Sequence, residues 1–148
     1  MSLTAKIDQD MKEAMLARQT TRVEALRFLK SAVKYAAIEK KTGPMSDDDV
    51  RQVIQKQIKQ RRESIDQFAK NGRRDLADKE SAELAVLESY LPQQMNDEEL
   101  AAMVRAVVQE CGLATKKDFG RGMKALQDKA QGRAEPKRLS EALGQLLQ

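Results

Sequence analysis

Residues 46–72 read SDDDVRQVIQKQIKQRRESIDQFAKNG. Ser46 followed by Asp47, Asp48 and Asp49 is a helix start: a serine hydroxyl accepts from an early amide, and carboxylates complement the positive end of the helix dipole. Val50, Ile54, Ile58, Ile65 and Phe68 then recur at helical spacing, lining one face with apolar side chains. Asn71-Gly72 ends the run. About 25 residues at 1.5 Å each make a helix of roughly 37 Å, long enough to cross a small domain.

Toward the N-terminus, Thr42-Gly43-Pro44 stops a helix that opens at Thr21-Arg22-Val23-Glu24, read as a capping box, and reaches about Lys41. Its apolar face holds Leu26, Leu29, Val33 and Ala37. An earlier helix runs from about Leu3 to Arg18, with Leu3, Ile7, Met11 and Ala14 or Met15 on one side. Toward the C-terminus, a helix from about Asp75 to Leu91 turns Leu76, Leu84, Leu87 and Leu91 inward and stops at Pro92.

Leu91-Pro92-Gln93-Gln94 marks the domain boundary. Beyond it Asn96-Asp97-Glu98-Glu99 is another capping box, opening a helix with Leu100, Met103, Val104, Val107 and Cys111 that Gly112 closes. Thr115 caps a helix carrying Phe119, Met123, Leu126 and Ala130. Gly120-Arg121-Gly122 and the segment from Gly132 to Pro136 read as small turns, with glycines leaving the backbone open to a ligand or partner. Pro136 starts a last helix with Leu139, Ala142, Leu143, Leu146 and Leu147. The expected protein is all-α, with a four-helix unit over residues 1–91 and a three-helix unit over residues 92–148. The smaller unit is near the size at which one core becomes marginal, so some docking between the units is expected.

Composition agrees: charged residues make up 34% and aromatics 3%, with no Trp and no His. No apolar run approaches the roughly 20 residues that span a bilayer. The N-terminus, MSLTAKIDQD, lacks the apolar core of a signal peptide. One cysteine, Cys111, forms no internal disulfide and points to a reducing, cytoplasmic setting. Net charge is +4 but unevenly spread: eight basic residues face two acidic ones between Arg51 and Arg74, and eight face three between Gly112 and Ser140. Local excesses of this kind suit a polyanion-facing surface.

The residues do not assemble a catalytic set, and no metal or cofactor site is expected. Without histidine, the commonest general base and metal ligand is missing. Cys111 occupies an apolar helix position and reads as a small core residue. Asp47, Asp48 and Asp49 are consecutive, which suits capping and not convergence on a cation. Gly120-Arg121-Gly122 has no preceding strand and no following Gly-Lys-Ser/Thr, so it is no phosphate loop. Glu83 and Glu88 read as a solvated helix face.

The order of several short motifs is recognisable. Leu26-Arg27-Phe28-Leu29-Lys30-Ser31-Ala32-Val33-Lys34, Lys59-Gln60-Arg61-Arg62-Glu63-Ser64, Phe68, Gly72-Arg73-Arg74-Asp75-Leu76, Glu83-Leu84 and Tyr90-Leu91-Pro92 occur in sequence, followed by Gly120-Arg121, Met123, Leu126, Gly132-Arg133-Ala134, Leu143 and Leu146-Leu147. Over nearly its full length the chain resembles the YqeY family, whose C-terminal half is similar to the tail domain of the B subunit of tRNA-dependent amidotransferase. Gly122 and Lys124 stand where that pattern is usually apolar and small, and Glu135-Pro136 replaces a more usual Asp-Gly.

The resemblance implies a helical accessory module associated with tRNA and its amidation, with catalysis elsewhere. It also implies an association with aminoacyl-tRNA synthetases or amidotransferases, and the label of a carbon–nitrogen ligase with glutamine as amido donor. On this reading Arg121, Lys124, Lys129, Arg133, Lys137 and Arg138 form one tail patch that contacts the tRNA backbone. Arg61, Arg62, Arg73 and Arg74 form a secondary basic surface with a solvated, ion-paired face as its plainer explanation. Few aromatics are available for base stacking, which favours shape and backbone contact. The competing class is a protein-interaction module that docks on a synthetase or amidotransferase without touching RNA.

Overall fold

A computed structural model describes residues 1–41 and 43–148. Among these residues the chain forms α1 (Leu3–Leu16), α2 (Thr20–Glu39), α3 (Asp47–Lys70), α4 (Arg74–Glu88), α5 (Asp97–Glu110), α6 (Phe119–Ala130) and α7 (Pro136–Leu146), with a 3-10 turn at Lys116–Asp118 and no strand. The protein is all-α, as the caps and periodicities require. Met1–Leu91, with α1 to α4, and Pro92–Gln148, with α5 to α7, are separate compact units.

In the first unit, α3 packs against α4, and α2 against both α4 and α1. Ile7, Leu26, Leu29, Val50, Ile54, Ile58 and Leu87 form its buried centre. The start of α3 is tied down from several directions. The Ser46 hydroxyl accepts from the Asp49 amide at 3.1 Å, and the Asp49 carboxylate accepts from the Ser46 amide at 2.9 Å. Lys40 Nζ lies 2.5 Å from the same carboxylate and 2.9 Å from the Pro44 carbonyl, which fixes the return from α2. Asp47 accepts from the Leu3 amide at 2.9 Å, capping α1, while Asp48 pairs with Arg51. Asp47 and Asp49 therefore each serve a helix end.

A second long-range tie closes the unit. The Tyr90 hydroxyl donates to Asp10 at 2.6 Å, and Lys6 donates to the same oxygen at 3.1 Å while standing over the Tyr90 ring. Burial of Asp10 raises its pKa, but the Tyr90 and Lys6 hydrogen bonds outweigh that and leave it lowered. Burial first, then the Asp10 carboxylate, pushes the Tyr90 hydroxyl up.

Several local expectations are corrected. Thr21 does not cap α2. The chain leaves α1 through Arg18 in the left-handed region (φ 56°), and α2 begins at Thr20 behind Gln19, whose side-chain oxygen accepts from Arg22. Thr21 is then already inside the first turn. The expected stop at Thr42 lies outside the described residues, and α2 has ended by Glu39. Met15 and Ala37 are exposed, and Ala14 takes the buried place on α1. Glu83 is not solvated: it is 3% exposed, because the face of α4 that it shares with Leu87 is turned inward.

The tail unit centres on Leu100, Val104, Val107, Leu113, Leu126, Leu139 and Leu143. Only half of its expected capping box forms. Asn96 accepts from the Glu99 amide at 2.8 Å, but the Glu99 carboxylate goes to Arg133, 2.9 Å away. Asp118 accepts from the Ala114 and Thr115 amides at 2.9 and 3.3 Å and so organises the entry into α6. Gly120-Arg121-Gly122 is no turn, since all three lie in the first turn of α6. Nor does Gly122 open the backbone to a ligand; it is buried, and a Cβ there would sit 2.8 Å from Leu143 Cδ2 and 2.9 Å from Leu113 Cδ1.

The caps carry a pH dependence. Lys40, then the Ser46 amide and hydroxyl, hold the Asp49 carboxyl at about 2 instead of 3.8. The Ala114 and Thr115 amides lower Asp118, and Arg73 lowers Asp75. A carboxyl depressed by folding stabilises the native state above its unfolded pKa and loses that contribution as pH falls through the folded value. The urea midpoint should therefore hold down to about pH 4 and fall between pH 4 and 2. Asp49→Asn should lower the midpoint at pH 6 and shrink that fall; a variant with the wild-type acid profile would refute the assignment.

Candidate nucleic-acid interface

The expected tail patch comes from α6 and the start of α7. Successive residues turn about 100° on a helix, so Lys124 and Lys129, five apart, point roughly 140° away from each other. Lys129 Nζ reaches Glu110 of α5 at 3.0 Å. Lys124 is exposed on the other side, and Arg121, about 60° from Lys124 and about 80° from Lys129 around the helix, is exposed between them. The Arg121 guanidinium donates to the Cys111 carbonyl at 3.0 Å and to Asp118 at 3.2 Å, which holds it in one orientation with its side chain still 59% exposed.

Arg133 and Arg138 do a different job. Arg133 Nε donates to the Gln93 carbonyl at 2.9 Å and Nη2 to Glu99 at 2.9 Å. Arg138 donates to the Met95 carbonyl at 2.8 Å and to Asp97 at 3.1 Å. The Met95 amide returns a bond to the Arg133 carbonyl at 2.8 Å. Together these fasten residues 93–97 to the α6–α7 turn. Lys137, beside Arg138, stays exposed. The six cations therefore do not form one patch: Arg121 and Lys124 share a face, while Arg133 and Arg138 are structural clamps.

The secondary surface divides likewise. Arg61 is drawn inward, 11% exposed at its side chain, onto Glu80 at 3.0 Å and onto Glu83. Its guanidinium also stands 5.8 Å from the centroid of the Phe28 ring. Arg62 lies 3.3 Å from Glu88, and Arg73 lies 3.1 Å from Asp75 and is held in its charged form by it. Arg74 is exposed. This face is largely one of ion pairs.

Two features escaped the sequence reading. Lys117 precedes Arg121 by four residues and Lys124 by seven, so it extends their stripe onto the 3-10 turn. The clue was its spacing. The second is the outer side of α2, where Phe28, Tyr35 and Ile38 are 61%, 72% and 77% exposed. Their offset from Leu26, Leu29 and Val33 around the helix was the available signal. A shallow cleft between α1 and α2 lies nearby, about 170 Å³, lined by Thr4, Ile7, Asp8, Lys30, Val33 and Lys34. It falls below the roughly 300–1,000 Å³ of small-molecule sites. No helix among the described residues is long and apolar enough to cross a membrane.

The chain is similar to a protein of Eremothecium gossypii named altered inheritance of mitochondria protein 41, mitochondrial. They are 37% identical over 108 residues, which is 72% of this chain and 59% of that protein. The protein of the same name in Kluyveromyces lactis is 38% identical over 86 residues, 58% of this chain and 46% of that one. An uncharacterized protein of Schizosaccharomyces pombe is 36% identical over 93 residues, 62% of this chain and 74% of that one. The chain spans about half the length of the mitochondrially named relatives it matches. Their names overturn the cytoplasmic assignment. A lone thiol reports a reducing setting without saying which one, so Cys111 never had the power to decide it. The names carry no catalytic activity. The model of the family described as Yqey-like protein matches residues 4–147, and on that match the chain belongs to the YqeY-like family.

Proposed function

We propose that the chain is a non-catalytic RNA-binding accessory protein of tRNA-dependent amidation or aminoacyl-tRNA synthesis, and that its tail unit grips the tRNA backbone. The observation that carries this reading is the stripe of Lys117, Arg121 and Lys124. Lys117 and Lys124 are exposed and have no carboxylate partner among the described residues, and Arg121 is pre-oriented by Cys111 and Asp118. Lys117 and Lys124, which gain nothing inside the fold, are available to phosphates. Arg121 is already paired with Asp118 but keeps a side chain 59% exposed beside them, and its fixed orientation reduces the ordering cost of a contact.

Each phosphate neutralised contributes about −0.9 to the slope of log affinity against log salt on duplex DNA, and a folded RNA should be comparable. Three contacts give a slope of roughly −3. Changing Lys117, Arg121 and Lys124 together to Ala should weaken binding across many tRNAs and flatten the slope by about two to three units. Arg133 and Arg138 are left intact because their loss would loosen the tail itself. The measurement is a tRNA titration at several salt concentrations, with circular dichroism to show that the variant is folded. Unchanged affinity and slope would make the stripe a solvated face.

The exposed apolar side chains of α2 supply the competing reading, a module that docks on a synthetase or amidotransferase without touching RNA. Co-purification of such an enzyme that survives nuclease treatment, with no tRNA shift by the pure protein, would select it.

A further inference from the structure

The chain has five aromatic residues, and Phe68, Tyr90 and Phe119 are half-buried. The other two, Phe28 and Tyr35, are the exposed ones, and both stand on the outer face of α2. They are seven residues apart, so they share that face at a separation of about 10.5 Å along the axis. Each follows a cation in sequence, Arg27 before Phe28 and Lys34 before Tyr35, whose long side chain starts about 100° around the helix from the ring. Arg27 and Lys34 are exposed and have no carboxylate partner among the described residues. Neighbouring charges are already committed, Lys30 to Asp8 at 2.9 Å and Glu24 to Lys79 at 3.5 Å.

Phe28 is also held ready. The Arg61 guanidinium covers it at 5.8 Å from the ring centroid, anchored in turn by Glu80 and Glu83, and Gln57 donates to the Phe28 carbonyl at 3.2 Å. One side of the ring is backed by a fixed cation and the rest is open. Between the two rings, positions 31 and 32 are Ser and Ala. A docking helix needs a continuous apolar seam with anchors at three-, four- and seven-residue spacing. Here the middle of the seam is small, Ser31 and Ala32, and Ile38 extends the apolar surface only beyond Tyr35, so Phe28 stands apart from Tyr35 as a separate platform. Isolated aromatic faces beside unpaired cations match unstacked bases and their phosphates.

We propose that the outer face of α2 is a stacking platform for unpaired nucleotides of RNA, with bases on Phe28 and Tyr35 and flanking phosphates at Arg27 and Lys34. The proposal rests on the RNA-binding reading and extends it from backbone grip by the tail to capture of single-stranded segments by the first unit. Stacking is tolerant of base identity, so the platform prefers unpaired over paired RNA without reading sequence.

The test is fluorescence anisotropy of the full chain with a labelled oligouridylate of about a dozen nucleotides, at low salt, against an abasic ribose-phosphate oligomer of the same length. Phe28→Leu with Tyr35→Leu retains apolar surface but removes the rings. Both sites are exposed, so the double variant should fold, as circular dichroism would show. Stacking measured by alanine substitution implies a loss of roughly fivefold or more per ring. The double variant should therefore bind oligouridylate at least about 25-fold more weakly, with little change in salt slope. Arg27→Ala with Lys34→Ala should instead flatten the slope by about 1.4 units, about 0.7 for each phosphate contact on a single strand. The abasic oligomer should bind wild type and the Leu variant alike.

Equal oligouridylate binding by wild type and the Leu variant would overturn the proposal, as would no binding by wild type at low salt. Loss of a nuclease-resistant protein partner from the Leu variant, with oligouridylate binding intact, would assign the face to protein docking. The two RNA readings fail separately. If the tail triple variant loses tRNA and the Leu variant loses nothing, only the platform falls. If the Leu variant loses oligouridylate and the tail variant keeps its tRNA slope, only the tail contact falls.

Discussion

Glu83→Ala should destabilise the N-terminal unit by about 3 kcal/mol, against less than about 1 kcal/mol for Glu88→Ala. The two acids sit five residues apart on α4 and its end, and both pair with an arginine of α3. Their surroundings separate them. Glu83 and Arg61 have side chains 5% and 11% exposed, whereas Glu88 and Arg62 are 47% and 49% exposed. Water screens the outer pair and solvates either partner left behind. In the inner pair, removing the carboxylate strands a guanidinium that has lost most of its access to water. Glu80, 3.0 Å from Arg61, keeps part of the compensation and places the effect at the lower end of the 3–5 kcal/mol expected for breaking a buried pair. Replacing both partners with apolar residues, Arg61→Met with Glu83→Leu, should recover much of the loss. Urea unfolding followed by circular dichroism measures all three variants. If Glu83→Ala and Glu88→Ala cost the same, the pair is no buried lock.

The second large effect separates two glycines two residues apart. Gly122→Val should destabilise the tail unit by roughly 1–3 kcal/mol, while Gly120→Ala should stabilise it by up to about 1 kcal/mol. Both lie in the first turn of α6, where replacing glycine by alanine ordinarily favours the helix. At Gly120 a new Cβ meets nothing within 4 Å. At Gly122 it would meet Leu143 Cδ2 at 2.8 Å and Leu113 Cδ1 at 2.9 Å, and both leucines belong to the tail core. Both contacts are the ends of buried leucine side chains, so a β-branched residue there forces Leu143 and Leu113 to repack within the tail core. Thermal unfolding of the full chain by circular dichroism should show opposite shifts. Two shifts of the same sign would mean that the α6–α7 approach is looser than this geometry.

The helices were legible because their signals are local. Ser46 and Asp49 cap each other within four residues, Asn96 caps the Glu99 amide, Pro136 opens α7, and Leu26, Leu29 and Val33 repeat on one face. Every partner in those decisions is a near neighbour in the chain, so the sequence contains it. Thr21 shows the limit: the cap motif was present, but after the left-handed exit at Arg18 the cap falls at Gln19, two residues earlier.

The candidate site was legible only as a count of cations. A lysine or arginine is available to a ligand when nothing inside the fold claims it, and the claimants lie far away in sequence. Arg133 is taken by Gln93 and Glu99, Arg138 by Met95 and Asp97, Lys129 by Glu110, and Arg61 by Glu80 and Glu83. The same reasoning explains why Glu83 looked solvated and Phe28 looked like one more apolar residue. The sequence by itself determined where this chain is helical and that its charge is locally basic. Only the packing of one helix on another decided which charges are spent inside the fold and which remain for a partner, because electrostatic pairing depends on distance in space and not along the chain.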